Sequence, residues 1–173
     1  QGKNNNKKMI PIAKPFIWKE EVNAAAKVLK SGMLAQGPKV KELEEKFAPF
    51  CDAKYAIAVN SGTAALHTAL NVIGIKEDDE VITTPFTFIA TANAILMQKA
   101  KPVFVDVEDD TFNINPDKIK EKITEKTKAI VTVDLYGHLC DYGKINEIAE
   151  NNKLIIIEDA CQAHGAEHYK KKV

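Results

Sequence analysis

The chain has 173 residues, with 24 basic against 24 acidic side chains, so no net charge draws it to nucleic acid or to an anionic surface. Its 45% apolar and 28% charged fractions are those of an ordinary soluble domain, and no apolar run approaches the length that spans a bilayer. The polar start lacks the apolar centre of a secretory signal, and Cys51, Cys140 and Cys161 show neither metal-ligand spacing nor a disulfide framework, a pattern that predicts reduced thiols and a cytoplasmic protein.

Residues 1–9, with Asn4-Asn5-Asn6 and three lysines, bury nothing and are expected to form a disordered tail, Met9 standing where an original start would. From Ile10 to Ile17 the prolines favour an extended run. A first helix is predicted over Lys19–Lys30, with Val22, Ala25, Ala26 and Leu29 on one stripe and Ser31-Gly32 as its stop. After the loop to Gly37, Pro38 suits the first turn of a second helix carrying Val40, Leu43, Phe47 and Phe50. From Tyr55 short apolar runs alternate with helical segments. Tyr55–Val59, Val81–Thr83, Val103–Val105, Ala129–Val133 and Leu154–Ile157 are candidate strands; Thr63–Val72, Ile89–Gln98, Pro116–Ile123 and Lys144–Asn151 are candidate helices. This alternation predicts an α/β fold, three layers with a mostly parallel sheet covered on both faces, and residues 10–173 read as one unit.

Four strand ends carry chemistry. After Val59, Asn60-Ser61-Gly62-Thr63-Ala64-Ala65 lets backbone approach a ligand and then opens a helix, whose unpaired amides and positive dipole end suit a phosphate at Thr63 and Ala64. A plain Ser/Thr-capped helix explains the same residues. It is neither a Walker loop nor a dinucleotide fingerprint. After Thr83, Phe86 and Phe88 offer a flat face for a planar ring, or simply core. After Val133, Tyr136 and His138 fall at the same end of the sheet, where a histidine is as readily a packing residue. The strongest junction is Leu154-Ile155-Ile156-Ile157-Glu158-Asp159-Ala160-Cys161-Gln162-Ala163-His164-Gly165. Its apolar run reads as a strand covered on both faces, and its acids fall at the carboxyl end, where open α/β sheets bind ligands. Asp159 is either a helix cap or a ligand group. Taken together, a phosphate seat, an aromatic face, and an acid followed by an amide describe a phosphorylated heteroaromatic ring. Pyridoxal phosphate has those handles: ring nitrogen for Asp159, phenolic oxygen for Gln162.

Ser61-Gly62-Thr63-Ala64-Ala65-Leu66, Pro85-Phe86-Thr87-Phe88-Ile89-Ala90-Thr91-Ala92-Asn93 and Glu158-Asp159-Ala160-Cys161-Gln162-Ala163-His164-Gly165-Ala166 resemble the motifs of the DegT/DnrJ/EryC1/StrS family, and the likeness runs from about Ile10 to the end, including Gly37-Pro38 and Asp134-Leu135-Tyr136-Gly137. The resemblance implies the fold type I large domain of pyridoxal-phosphate sugar aminotransferases. It implies that Gly62, Thr63 and Ala64 hold the phosphate, Phe88 stacks on the pyridine, Asp159 pairs with its nitrogen and Gln162 touches the 3-hydroxyl. It further implies amino transfer, from glutamate to a keto sugar linked to a nucleotide, in polysaccharide or glycan biosynthesis, by a homodimer whose boundary draws on Gly32–Gly37 and the helix from Pro38. The family's Schiff-base lysine would lie past Val173. Lys170, Lys171 and Lys172 read as solvated charges in the turn of a strand pair that ends without closing, so the chain is expected to be the N-terminal part of that domain, inactive alone and without the small C-terminal domain. Sugar dehydratases of the same family, and non-catalytic relatives, are the alternatives.

Overall fold

In the computed structural model, residues 11, 14–168 and 171–172 are described. The expected tail, and parts of the extended run and of the Lys170 segment, lie outside them. The chain divides into two compact units, 1–41 and 42–173. The first contains α1 (Lys19–Ser31), which ends on Gly32 in the left-handed conformation, its N–H bonded to the Leu29 carbonyl. At its start the Trp18 N–H donates to Glu21 Oε2 at 2.6 Å, the reach-back of a capping carboxylate. Helix α2 (Pro38–Phe50) opens on its proline, as the missing N–H allows.

The second unit is built on a four-stranded sheet, all parallel, in the order β2-β1-β3-β4: β1 (Glu80–Thr83), β2 (Lys101–Phe104), β3 (Thr127–Val133) and β4 (Ile155–Asp159). Parallel neighbours need crossovers, and the sequence supplies them as α4 (Ala90–Met97), α5 (Pro116–Ile119) with a following 3-10 turn, and α6 (Tyr142–Asn152); α3 (Gly62–Val72) precedes the sheet. Strand alternation sorts the core into two layers. Val81, Ala129 and Val131 face Leu66 and Leu70 of α3 and Ala94 and Ile95 of α4. Ile82 and Ile130 face Ile119 of α5 and Ile145, Ile148 and Ala149 of α6. The sheet is thus covered on both faces, as its apolar composition requires.

Three expectations are corrected. Tyr55–Val59 is not a strand: Tyr55 and Ile57 are 73% and 81% exposed, and the Ala58 N–H donates to Glu44 Oε1 at 2.8 Å rather than to a neighbouring strand. Without a ladder partner among the described residues, its β propensity has nothing to pair with. The Ile155–Ile157 run is only partly covered, Ile155 being 45% exposed, because β4 is an edge with β3 on one side. The final strand pair does close: β5 (Glu167–His168) pairs antiparallel with β6 (Lys171–Lys172). There Lys172 is half-buried, its Nζ lying 4.9 Å from the Phe50 ring centre and 3.9 Å from Glu167 Oε1, so it is not a free solvated charge.

Candidate active site

Beyond the carboxyl ends of the strands lies a cavity of about 220 Å³ lined by Gly62, Thr63, Leu66, Thr87, Phe88, Ala90, Val133, Asp159, Cys161 and Gln162. Five of the six residues singled out from sequence meet on it. Ala64 does not line it. Its N–H donates to the Oγ of Ser61, the extended N-cap of α3, at 3.1 Å. The N–H groups of Gly62 and Thr63, in the same first turn, have no partner within the helix. A side chain at position 62 would meet the Cys161 Sγ at 3.1 Å, so glycine there keeps the helix start open against the β4 loop. The two phenylalanines part company: Phe86 packs on Phe112 with ring centres 5.7 Å apart, while Phe88 faces the cavity and is 71% exposed.

Asp159 is 7% exposed at the end of β4. Its Oδ2 accepts the Thr91 hydroxyl at 2.8 Å and its Oδ1 the Cys161 N–H at 3.4 Å. Thr91 has one proton and spends it on the carboxylate, so in its 2.9 Å contact with Thr87 it is the acceptor, and the hydrogen bonds run from Thr87 to Thr91 to Asp159. Burial, and then the Asp159 carboxylate, push the Cys161 thiol up to about 11, which keeps it protonated and a poor nucleophile. Gln162 Oε1 accepts the Tyr136 N–H at 2.9 Å. A backbone N–H can only donate, so the end it meets is the Gln162 oxygen, and the Gln162 amine is left to point elsewhere.

Tyr136 and His138, expected at the crevice, do not line this cavity; both make backbone hydrogen bonds, and the His138 ring Nδ1 lies 3.1 Å from the Leu139 carbonyl. Tyr136 is 79% exposed, and the His138 carbonyl accepts Asn113 Nδ2 at 2.8 Å. Sequence reading missed Thr87, Thr91 and Asn113. The two threonines stand four residues apart, Thr87 between the two aromatics and Thr91 after them, a spacing that puts them on one side of a turn, whereas nothing local marks Asn113.

On the other face of the sheet, Asp134 is fully buried and accepts the Cys140 N–H at 2.8 Å and the Tyr142 hydroxyl at 3.1 Å on each oxygen. Glu158 is exposed along the edge strand, but partial loss of water around its carboxyl, with the Asp134 carboxyl beside it, pushes it up to about 7. Burial also pushes up the Cys140 thiol and the Tyr142 phenol, with Asp134 adding to both.

A parallel α/β sheet with a helix N-terminus, an exposed aromatic ring, a hydrogen-bonded carboxylate and an amide donor converging at its carboxyl edge defines a site for an anionic, planar heterocycle. The DegT/DnrJ/EryC1/StrS aminotransferase family matches residues 15–173, and the chain belongs to it. A UDP-2-acetamido-2-deoxy-3-oxo-D-glucuronate aminotransferase of Pseudomonas aeruginosa is 41% identical over 155 residues, 89% of this chain and 43% of that protein. Among crystal structures, NtdA of Bacillus subtilis with bound PMP superposes with a TM-score of 0.83 at 39% identity, covering 88% of this chain and 35% of that one. A GDP-4-keto-6-deoxymannose-3-dehydratase holding a trapped PLP-glutamate geminal diamine superposes with a TM-score of 0.88 at 31% identity, covering 94% and 44%. The chain spans about two fifths of the length of the curated relatives it matches.

Proposed function

We propose that the chain is the N-terminal part of the large domain of a pyridoxal-phosphate sugar aminotransferase. The whole protein would move an amino group from an amino acid, glutamate in our reading, to a keto sugar linked to a nucleotide in polysaccharide or glycan biosynthesis. The observation that carries the proposal is the convergence of Thr63, Phe88, Asp159 and Gln162 on one cavity in a chain of this family. The donor set fits the cofactor. Gly62 and Thr63 would seat its phosphate at the α3 N-terminus, with Ala64 able to join only by giving up its bond to Ser61. Phe88 would cover one ring face. Asp159, held by Thr91 and the Cys161 N–H, would keep a proton on the ring nitrogen, and the Gln162 amine would donate to the phenolic oxygen. Pyridoxal phosphate, when bound, supplies an electron-accepting ring beside an aldehyde that reacts with amines. All three cysteines are free thiols, which suits a reducing cytoplasm, and a homodimer is the assembly we infer from the family. A second reading, dehydration of a nucleotide-linked sugar, rests on the dehydratase among the matched structures.

The test is uptake of pyridoxal phosphate by the whole protein, followed in the visible spectrum, with mass spectrometry of a nucleotide-linked keto sugar incubated with 15N-glutamate. Label in the sugar is the expected result. Loss of water without label would favour the dehydratase, and absence of cofactor uptake would overturn the pocket assignment and leave a non-catalytic relative.

A further inference from the structure

Asn113 sits in the segment joining β2 to α5 and is 1% exposed. A buried primary amide must satisfy both its donor and its acceptor ends. Those of Asn113 go to one turn. Its Oδ1 accepts the Leu135 N–H at 3.1 Å, and its Nδ2 donates to the His138 carbonyl at 2.8 Å. Both partners are backbone groups of fixed sense, so a reversed amide would set donor against donor and acceptor against acceptor. The main chain of Asn113 is tied as well: its N–H donates to Thr111 Oγ1 at 3.2 Å and its carbonyl accepts the Glu108 N–H at 2.9 Å. Val107 and Ile114 bridge beside it, giving the amide a firm base.

The side chain therefore brackets residues 135–138 at the first and last positions of their turn. Inside the bracket, Tyr136 has φ 52° and Gly137 φ 87°. Glycine enters this left-handed region freely; a tyrosine stays there only where its surroundings hold it. In that conformation the Tyr136 N–H meets Gln162 Oε1 at 2.9 Å.

We propose that Asn113 is a positioning residue of the cofactor site: by bracketing the turn at Leu135 and His138 it holds the Tyr136 N–H on Gln162 Oε1, and so presents the Gln162 amine as the donor to the phenolic oxygen of the ring. The inference rests on the pyridoxal-phosphate reading above. Without the bracket the turn relaxes toward right-handed backbone angles, the Gln162 amide loses its fixed partner, and the donor toward the ring is no longer held.

The test compares the affinity of the whole protein for pyridoxal phosphate with that for its 3-deoxy analogue, which lacks the oxygen concerned. Asn113→Ala is expected to weaken pyridoxal phosphate about tenfold, the size of one hydrogen bond to a charged oxygen, and to leave the analogue within about twofold. Gln162→Leu should show the same selective loss, and adding Asn113→Ala to it should cause no further selective loss. Should the alanine variant fail to fold, Asn113→Asp keeps the acceptor for Leu135 while setting an oxygen against the His138 carbonyl, and predicts the same selectivity. Equal weakening of both ligands in the Asn113 variants, or weakening of neither, overturns the proposal. If the unaltered protein binds neither ligand, the pyridoxal-phosphate reading fails and this proposal falls with it.

Discussion

Glu158→Gln should stabilise the protein, and only above acid pH. Glu158 lies beside Thr132 in the β3–β4 register, on the face where Tyr142 joins Thr132 to the buried Asp134. Its carboxyl is pushed up from an ordinary 4.5 to about 7. Through that window the unfolded chain has released the proton while the folded chain retains it, so stability falls as pH rises and remains lower above it. At ~1.4 kcal/mol for each tenfold change in proton affinity, the ceiling is ~3 kcal/mol. Glu158 is exposed along the edge strand, and screening by water reduces the figure to ~1 kcal/mol. Glutamine cannot ionise, can still accept from Tyr142, and adds a donor for Asp134. In urea unfolding at pH 8 the variant should gain ~1 kcal/mol over the parent, with the difference vanishing toward pH 4.5. A constant offset at both pH values, or a loss at pH 8, would refute the reasoning.

Thr91→Val keeps the shape of a side chain that is 1% exposed but removes the proton donated to Asp159. It should cost ~2 kcal/mol in the same assay, against less than ~1 kcal/mol for Thr87→Val, whose hydroxyl is only part-buried; equal losses would show that the Asp159 contact has no special weight. Asp159→Asn should lower turnover by about 100-fold or more while cofactor affinity, measured by spectral titration, changes by less than about tenfold, because a neutral partner cannot hold the ring-nitrogen proton. The Cys161 thiol, lifted to about 11, should alkylate with iodoacetamide at pH 8 at least about tenfold more slowly than a free cysteine peptide. Alkylation at the peptide's rate would mean that Asp159 and burial do not hold its proton.

Local chemistry made much of the fold legible. Pro38 opens α2, Gly32 ends α1, Ser61 caps α3, and the apolar runs at 81–83 and 129–133 became central strands because two-sided burial is written in their composition. Tyr55–Val59 misled for the complementary reason, since alternation of Tyr, Ile and Val records a fitness for pairing but not the presence of a partner strand. At the site, Phe88, Asp159 and Gln162 announced themselves at strand ends, and Thr63 by opening a helix. The groups that hold them did not. Thr91 reaches Asp159 across 68 residues of sequence, and Asn113 reaches Leu135 across 22, distances at which no spacing rule operates.

The all-parallel order of the sheet also bears on how the molecule assembles. No neighbouring pair in it can form as a hairpin: Glu80 meets Lys101, then Thr127, and Ala129 meets Ile155, each only after a crossover has closed. Contacts so far apart in the chain form slowly, because loop entropy is lost before burial compensates for it. The cavity draws on the starts of α3 and α4 and the ends of β3 and β4, so it exists only when the last crossover is in place. In a refolding experiment, recovery of ligand binding should therefore lag behind recovery of helical signal, and the delay would time the docking of β4.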